Sequence, residues 1–285
     1  MNKLQETQLE ILKVFIAICE KHHLSYFLVS GTALGAVRHH GFIPWDDDID
    51  VGMIRSEYEK FLQVAPKELA GSHYFLQTWR SDPHYIYGFA KIRDNNTTYI
   101  ENFFMNHQIN HGVWMDIFPI DGLTDKELSI KKLKPRLHHF VFHIYMSYLP
   151  ALLRKFHKKT FFKDLLFNFI GVLFYPFNIA HYHQRKLDKM GNKYPLEKAT
   201  YAGNYMYYFT GRIEALPAHI YLETTDAIFE GVKVKIPKDY DTYLTCLYGN
   251  YMQPPKENDR VGHHIDKGFS LEMGWQEYIY HKKTR

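Results

Sequence analysis

Cysteine is nearly absent from this sequence, which has two cysteines, Cys19 and Cys246, among 285 residues. Two cysteines cannot build a disulfide framework or a cysteine-rich zinc site. Such low cysteine usage is typical of a reducing compartment, so we expect a cytoplasmic protein. We also expect no signal peptide, because Glu6, Glu10 and Lys13 interrupt the apolar positions near the N-terminus.

Apolar runs long enough to cross a membrane are missing too. The most apolar stretches are residues 140–153 and 165–180, and both are shorter than the ~20 residues that a membrane span needs. Pro150 and Pro176 interrupt them. They predict helices whose apolar faces either pack on the body of the protein or lie in a membrane interface, and both alternatives stay open.

The chain as a whole has a small net charge, but its middle segment is strongly basic. The net charge of +4 is too small to indicate nucleic acid, and we expect no such partner. Residues 131–190, however, contain twelve Lys or Arg and only two acids, Asp164 and Asp188. A basic segment on an acidic body predicts contact with a membrane face or an anionic polymer, here over residues 126–190.

The most informative motifs of the chain lie in residues 26–53, YFLVSGTALGAVRHHGFIPWDDDIDVGM. The apolar residues 27–29 predict a short buried strand. A small-residue segment follows, which predicts a helix that starts from a hydroxyl cap at Ser30 or Thr32. We expect this helix to end at Gly41.

A second strand is predicted over residues 46–51, DDDIDV. Because side chains alternate along a strand, Asp46, Asp48 and Asp50 are expected to share one face. Carboxylates held side by side repel one another unless a cation lies between them, and Mg²⁺ or Mn²⁺ prefers such oxygen ligands. An Asp-rich run is often only a solvated loop, but the apolar flanks here favour a metal site.

The order of these features resembles the nucleotidyltransferase fold, in which Gly and a small hydroxyl residue follow a strand and Asp-apolar-Asp follows on the next one. The longer string GTALGAVRHHGFIPWDDDIDVGM resembles, more narrowly, the LicD family, which includes bacterial phosphocholine transferases and the fukutin-related proteins of animals. The resemblance continues through three further segments: KIRDNNTTY, DIFPIDG and FEGVKVKIPKDYDTYLTCLYGNYMQPP.

Asp116 is a lone acid inside an apolar run, where an ionised side chain is costly to bury. Its place in DIFPIDG, which is similar to the family's second motif, implies that it joins Asp48 and Asp50 as the catalytic and metal-binding acids. Whether Asp116 ligates the metal or takes the proton of the attacking hydroxyl stays open. Asp121 precedes a glycine, and we expect it in a turn.

Basic and small residues supply the candidate substrate contacts. Lys91 and Arg93 are two apart and are expected on one strand face, as phosphate ligands or as a solvated face; the family resemblance favours phosphate. Gly31 would let phosphate approach the helix N-terminus, and Thr32 would add a hydroxyl. The remaining candidates are basic: Arg38, Arg260 and His263.

The predicted fold class is α+β, with a nucleotidyltransferase-like mixed sheet flanked by helices and a basic, aromatic helical insertion. We predict a catalytic core over residues 1–125, the insertion over 126–195, and a C-terminal α/β segment over 196–285 that completes the site. Helical spacing of apolar residues predicts an amphipathic first helix over residues 3–22.

The resemblance implies Mg²⁺-dependent transfer of a phospho-alcohol, with phosphocholine as the first expectation, from a CDP-linked donor to a hydroxyl of a cell-surface glycan. CMP would leave, and the acceptor, a teichoic acid, lipopolysaccharide or capsule precursor, could be lipid-linked. A peripheral position at the inner face of the membrane stays open. Two alternatives are a nucleotidyltransferase that uses a nucleoside triphosphate and a non-catalytic glycan-binding protein. Choline, ribitol, glycerol and a sugar phosphate all suit the same metal core.

Overall fold

The structure is a computed structural model. It describes most of the chain, namely residues 1–104, 108–124, 136–140, 179–204, 215–260 and 266–284, with single positions at 142, 162, 165, 166, 169, 173 and 262. The labels below number the described elements in chain order.

Helices and strands alternate along the first half of the described chain. The described helices are α1 (Lys3–Lys21), α2 (Ser30–His39), α3 (Arg55–Glu68), α4 (Ile179–Gly191), α5 (Tyr240–Tyr248) and α6 (Trp275–Thr284). The described strands are β1 (Phe27–Leu28), β2 (Asp50–Ile54), β3 (Tyr74–Gln77), β4 (Ala90–Asp94), β5 (Thr98–Glu101), β6 (Val113–Leu123), β7 (Tyr201–Gly203), β8 (Leu216–Pro217), β9 (Thr224–Phe229), β10 (Val232–Pro237) and β11 (Asp266–Ser270).

One mixed sheet of seven strands organises the fold. Its spatial order is β1-β2-β6-β4-β3, and β7 and β8 extend it from the far end of β6. The pair β2–β6 is parallel and the other pairs are antiparallel. The long strand β6 is therefore central, which suits its fully buried and mostly apolar sequence. The predicted α+β fold with a mixed sheet flanked by helices is confirmed.

The amphipathic helix predicted over residues 3–22 is confirmed as α1. Its apolar face contributes Ile11, Leu12 and Phe15 to the main core, and all three are fully buried. Side chains three and four apart lie on one face of a helix, so this spacing turns a single stripe toward the sheet. The same face also carries two buried glutamines, which matter for the site described below.

Strands β9 and β10 form a hairpin whose turn is Glu230-Gly231. Both turn residues have positive φ, 48° and 76°, as a tight hairpin turn requires. The Glu230 carboxylate accepts a hydrogen bond of 3.0 Å from the Phe42 backbone N–H, and its own N–H donates to the His40 carbonyl. The hairpin thereby braces the loop between α2 and β2.

The expected ends of α2 are wrong at both sides. The residue before the helix is Val29, which offers no side-chain cap, and the Ser30 N–H donates 2.9 Å to the Tyr243 hydroxyl of α5. A distant tyrosine thus replaces the predicted hydroxyl cap. At the other end His40, not Gly41, takes the left-handed conformation with φ 57°, and its N–H donates to the Gly35 carbonyl.

Asp121 does not lie in a turn, contrary to the prediction, but within β6, where it is fully buried. Its two carboxylate oxygens accept hydrogen bonds of 2.6 and 2.7 Å from Arg55 at the start of α3. The ion pair raises the pKa of Arg55 despite the opposing effect of burial. A charge this deep inside a protein needs such a partner, which the local sequence does not reveal.

The predicted domain boundaries fall partly outside the described residues, and they remain predictions. Most of the insertion predicted over 126–195 and of the apolar helices over 140–153 and 165–180 also lies outside them. Across the part of the chain that is described, no helix is both long and apolar enough to span a membrane.

The Arg55–Asp121 pair gives a stability prediction. Asp121→Asn removes the negative charge but keeps the side-chain volume, so the buried Arg55 guanidinium keeps only its longer ion pair with the partly exposed Glu59. We expect the free energy of unfolding to fall by about 3 kcal/mol, measured by urea unfolding at pH 7. The matched control is Asp226→Asn, which breaks half-exposed pairs to Lys233 and Lys235 on the hairpin and is expected to change little. Equal effects of the two substitutions would contradict the prediction.

Candidate active site

The acidic run Asp46-Asp47-Asp48 lies in the loop that precedes β2. The strand begins only at Asp50, so the prediction that alternate aspartates share one strand face is wrong. Instead, carboxylate oxygens of these three residues lie within 4.8 Å of one another. Three acids held this close by a loop form a compact set of hard oxygen ligands.

Two glutamines on α1 hold the backbone of this loop. The Gln5 side-chain amide donates 3.0 Å to the Asp46 carbonyl, and that of Gln8 donates 2.8 Å to the Asp47 carbonyl. Both glutamines are buried, at 3% and 1% exposure. The loop carbonyls thus accept hydrogen bonds from side chains rather than from a neighbouring strand. For this reason β2 begins only after the loop.

Sequence reasoning missed these glutamines, although a signal for them exists. Gln5 and Gln8 are three apart, and they lie on the buried side of an amphipathic helix among apolar residues. A buried polar side chain requires a partner, so two glutamines on such a face predict hydrogen bonds to a neighbouring segment. The sequence does not show which segment that is.

Asp50 and Asp116 lie beside the acidic loop on neighbouring strands. The register of the parallel pair β2–β6 places them directly opposite one another. The Asp116 N–H donates 2.8 Å to the Ile49 carbonyl, and the Asp50 N–H donates 2.9 Å to the Thr32 hydroxyl. Backbone pairing therefore fixes both acids side by side on the two parallel strands.

The Asp50 carboxylate shows most clearly that this site suits a cation. Its Oδ1 is buried and has no hydrogen-bond partner among the described residues. Burial raises the pKa of Asp50 well above its usual value, and the charges of Asp48, Asp116 and Asp46 raise it further. An ionised carboxylate in such a place is strongly disfavoured unless a cation compensates it.

The N-terminus of α2 approaches the acids closely. A Cβ atom at Gly31 would lie 2.8 Å from the Asp46 carboxylate, so a side chain here would force the loop to move. Thr32 is 2% exposed and uses its hydroxyl to accept from the Asp50 N–H. Because Gly31 has no side chain, the Asp46 carboxylate can lie close to the start of α2. Thr32 positions the start of β2.

Lys91 of β4 adds a positive charge next to Asp116. It pairs in register with Asp116, and its Nζ lies 2.8 Å from Asp116 Oδ1. The Lys91 side chain is buried at 1% exposure, and its Nζ lies 4.3 Å from the centroid of the Trp114 ring. A buried ammonium group stabilises the charged form of a neighbouring carboxylate.

Arg93 lies two residues further along β4 and is fully buried. Its guanidinium donates 2.6 Å to the Gln77 side chain, 2.8 Å to the Gly112 carbonyl and 3.3 Å to Glu101. Lys91 and Arg93 do share one face, as predicted, because both contact Glu101 and Trp114. The alternative of a solvated strand face is wrong, since both side chains are buried.

Arg38 of α2 and Arg260 of the C-terminal segment are the two other described basic candidates. The Arg38 Nη1 donates 2.5 Å to the Tyr251 carbonyl, and the Arg260 guanidinium lies 5.3 Å from the Trp45 ring centroid. Burial lowers the pKa of Arg38, and the charge of Arg260 contributes in the same direction. Two neighbouring guanidinium groups repel each other and favour an anion between them.

Part of the C-terminal segment lies beside the acidic loop. A Cβ atom at Gly262 would lie 3.0 Å from the Asp47 carboxylate. His263, the remaining candidate substrate ligand, lies outside the described residues. The structure therefore brings together a loop of acids, the two strand acids Asp50 and Asp116, and the Lys91 ammonium group.

The donor set fits a hard divalent cation. It consists of carboxylate oxygens, one of them buried without a hydrogen-bond partner among the described residues, with no cysteine among the site residues. Such oxygen ligands favour Mg²⁺ or Mn²⁺ over softer metals. The assignment of Asp48, Asp50 and Asp116 as ligands stays a prediction. Among the described residues, the carboxylates close enough to share one ion are those of Asp46, Asp47 and Asp48.

Comparison with known proteins agrees with the geometry. The family model "LicD/FKTN/FKRP, nucleotidyltransferase domain" matches residues 23–161. The "Lipopolysaccharide cholinephosphotransferase LicD" of Haemophilus influenzae is 33% identical over 265 residues, which are 92% of this chain and 95% of that protein. The chain belongs to the LicD family. The predicted family and the predicted class of LicD-type phosphotransferase are confirmed.

Shorter matches to this LicD-family protein come from two uncharacterized proteins of Rickettsia typhi and Rickettsia prowazekii. They are 40% and 38% identical over 58 residues. These residues are 20% of this chain and 19% and 22% of the two proteins.

The raised pKa of Asp50 gives a prediction for the metal-free LicD-family protein. Because its folded state binds the Asp50 proton more tightly than the unfolded chain does, its stability falls as pH rises above the ordinary Asp range. We therefore expect Asp50→Asn to raise the melting temperature in EDTA at pH 7.5, and less so at pH 5. Added Mg²⁺ should stabilise the parent protein and not the variant. A lower melting temperature for Asp50→Asn in EDTA at pH 7.5 would contradict this account.

The glutamine brace gives a second prediction. Gln8→Leu keeps a similar volume but removes the donor to the Asp47 carbonyl, so the acidic loop loses one of its two side-chain supports. We expect Mg²⁺ affinity, measured by calorimetry, to fall about tenfold while the helical circular dichroism is retained. Gln63→Leu on the exposed side of α3 is the control and should bind Mg²⁺ like the parent. Unchanged affinity of Gln8→Leu would show that the brace does not shape the site.

Proposed function

We propose that this LicD-family protein transfers phosphocholine from a CDP-linked donor to a hydroxyl of a lipopolysaccharide-type glycan, with Mg²⁺ or Mn²⁺ bound. One observation carries the choice of phosphocholine: the chain covers 95% of a relative whose name states cholinephosphotransferase activity on lipopolysaccharide. The acids of the loop before β2, together with Asp50 and Asp116, support the proposal of a bound metal. CDP as the carrier follows from the family resemblance of the motifs around Asp48 and Asp116.

Asp48, Asp50 and Asp116 would hold the metal, which would neutralise charge on the donor diphosphate when bound. Asp50 is suited to this by its buried Oδ1, and Asp48 by its place in the loop cluster. Ligands from both a loop and two strands fix the position of the acids before the donor arrives, so little reorganisation is needed during the reaction.

In the proposed reaction the acceptor hydroxyl oxygen attacks the phosphorus that carries choline. The bond from this phosphorus to the bridging oxygen breaks, and CMP leaves with the bond electrons. The hydroxyl proton passes to a base, for which Asp116 is our candidate. Lys91, 2.8 Å from Asp116 Oδ1, favours the ionised carboxylate that a base or a metal ligand must have.

The proposal has two groups of phosphate contacts. Arg38 and Arg260 form the first group, because their like charges repel each other and an anion would relieve this repulsion. The N-terminus of α2, reached through Gly31, offers backbone amides. Arg93 already has three protein partners, so we assign it the role of supporting Gln77 and Glu101 rather than a direct phosphate contact.

The location belongs to the same proposal. Both cysteines are free, Cys19 buried and Cys246 exposed, as suits a reducing compartment. We therefore place the reaction in the cytoplasm, at the inner face of the membrane, where a lipid-linked glycan acceptor would be accessible.

A direct assay separates the proposed reaction from its main alternative. Purified protein and Mg²⁺ are incubated with CDP-choline or with CTP, each together with lipopolysaccharide lacking phosphocholine. We expect protein-dependent CMP release and choline incorporation with CDP-choline, and no pyrophosphate with CTP. Other CDP-linked alcohols, ribitol and glycerol, test the choice of choline. Pyrophosphate from CTP would favour a nucleotidyltransferase instead.

Variants connect that assay to the site. We expect Asp48→Asn to lower the rate of CMP release at least about 100-fold, because the charge that stabilises the diphosphate is no longer held in place. Asp226→Asn, far from the site on the exposed hairpin, is the control and should retain the parent rate. Parent-like turnover by Asp48→Asn would refute its metal role without excluding the transfer itself.

A further inference from the structure

Trp45 is a large aromatic residue that directly precedes the acidic loop of residues 46–48. Its side chain packs against the main core and is partly exposed. Two of the other three tryptophans, Trp79 and Trp114, are buried at 6% and 1% exposure. Trp45 therefore exposes part of a flat apolar ring next to a cluster of charged groups, where it is suited to hold a flat ligand.

The backbone around Trp45 is held on both sides. Pro44 and Trp45 are the central residues of a tight turn, which the Asp46 N–H closes by donating 2.9 Å to the Ile43 carbonyl. Proline suits the second position of such a turn because its ring fixes φ. Directly after the turn, the Gln5 side chain donates to the Asp46 carbonyl. The indole ring is thus carried by a backbone that is ordered before a ligand arrives, which lowers the entropic cost of binding.

Two guanidinium groups lie in the neighbourhood of the indole ring. The guanidinium carbon of Arg260 lies 5.3 Å from the centroid of the Trp45 ring, and the Arg260 Nε donates 3.0 Å to the Pro255 carbonyl. The His39 ring packs edge-on against Trp45, with 6.4 Å between the ring centroids. Arg38 donates 3.4 Å from its Nε to His39 Nδ1. Burial and the charge of Arg38 lower the pKa of His39, so this imidazole is neutral at pH 7 and adds no positive charge of its own.

The ring and the candidate metal ligands are close along the chain. Asp48 is three residues after Trp45, so their Cα atoms lie at most about 11 Å apart. Gly262 lies against the same stretch, since a Cβ atom there would be 3.0 Å from the Asp47 carboxylate and 3.5 Å from the Trp45 carbonyl oxygen. A single ribose separates the base of a nucleotide from its first phosphate. One nucleotide can therefore reach the ring with its base and the acidic loop with its phosphates.

We propose that Trp45 binds the nucleobase of the donor, which stacks on the indole ring while the diphosphate lies at the acidic loop. This inference rests on the proposed function, because it takes a nucleoside-diphosphate-linked donor as the substrate. Every base has a flat π-face that can stack on an aromatic side chain. The guanidinium of Arg260 is planar as well and can stack on a ring or bind the phosphates. Trp45 is thus a binding residue for the donor and takes no part in the chemical step.

The charges near the ring favour a base over the choline group of the same donor. A trimethylammonium ion also binds aromatic faces. At Trp45, however, it would have to displace the Arg260 guanidinium from the ring and would remain close to two like charges, those of Arg260 and Arg38. Cytosine is uncharged at neutral pH, and both guanidinium groups attract the phosphates attached to it. The ring therefore suits the nucleoside end of the donor.

Calorimetry with the full chain and Mg²⁺ tests the proposal. We expect Trp45→Leu to bind CDP at least about fivefold more weakly than the parent does, because the stacking contact is lost. Pyrophosphate has a diphosphate but no base, so it should bind to both proteins equally. Trp45→Phe keeps a smaller aromatic face and should have an intermediate affinity for CDP. The matched control is Trp275→Leu, which removes the other partly exposed tryptophan and should bind CDP like the parent.

Three results would overturn the proposal. The first is equal affinity of the parent and Trp45→Leu for CDP. The second is an equal loss for CDP and pyrophosphate, which would mean that Trp45 only supports the acidic loop. The third is a loss of affinity for phosphocholine without a loss for CDP, which would assign the ring to choline. Failure of the proposed transfer is a separate result: the parent releases no CMP from CDP-choline, while the comparison of CDP affinities still decides the role of Trp45. Circular dichroism checks that each variant is folded.

Discussion

Repulsion among carboxylates is the constraint on which this molecule depends. Four aspartates lie within five residues at the start of β2, and Asp116 joins them from β6. Water cannot screen a buried oxygen such as Asp50 Oδ1, so the arrangement persists only because the surrounding fold enforces it and because a cation can relieve it. The fold thus accepts a local loss of stability at this cluster of acids, where we propose that the metal binds.

Four separate parts of the chain hold the acids in place. Helix α1 binds the backbone of the acidic loop through two glutamines, and the β9–β10 hairpin holds the preceding loop through Glu230. Tyr243 of α5 receives the Ser30 N–H at the start of α2. Lys91 of β4 faces Asp116 across the sheet. Because no brace is local in sequence, the site can form only when the whole core has folded.

Sequence patterns predicted the regular elements well, because periodicity is a local property. The apolar stripe of α1 and the apolar run around Asp116 both follow from residue spacing. Details that depend on distant contacts were wrong. The start of α2 is not capped by its own Ser30 or Thr32 hydroxyl, since the Ser30 N–H donates to the distant Tyr243 hydroxyl. Asp121 is not a turn residue, since Arg55 pairs with it inside the core.

The sequence by itself determined the family, the fold class and the identity of the acids, because the 31–53 string and the alternation of helix and strand patterns are encoded residue by residue. Tertiary structure decided how those acids are used. It grouped Asp46, Asp47 and Asp48 in a loop, left Asp50 Oδ1 buried, and turned Lys91 and Arg93 into buried partners of protein groups. The physical reason is that charge, pKa and availability for a ligand depend on burial and on neighbours, and those are set only when distant segments pack together.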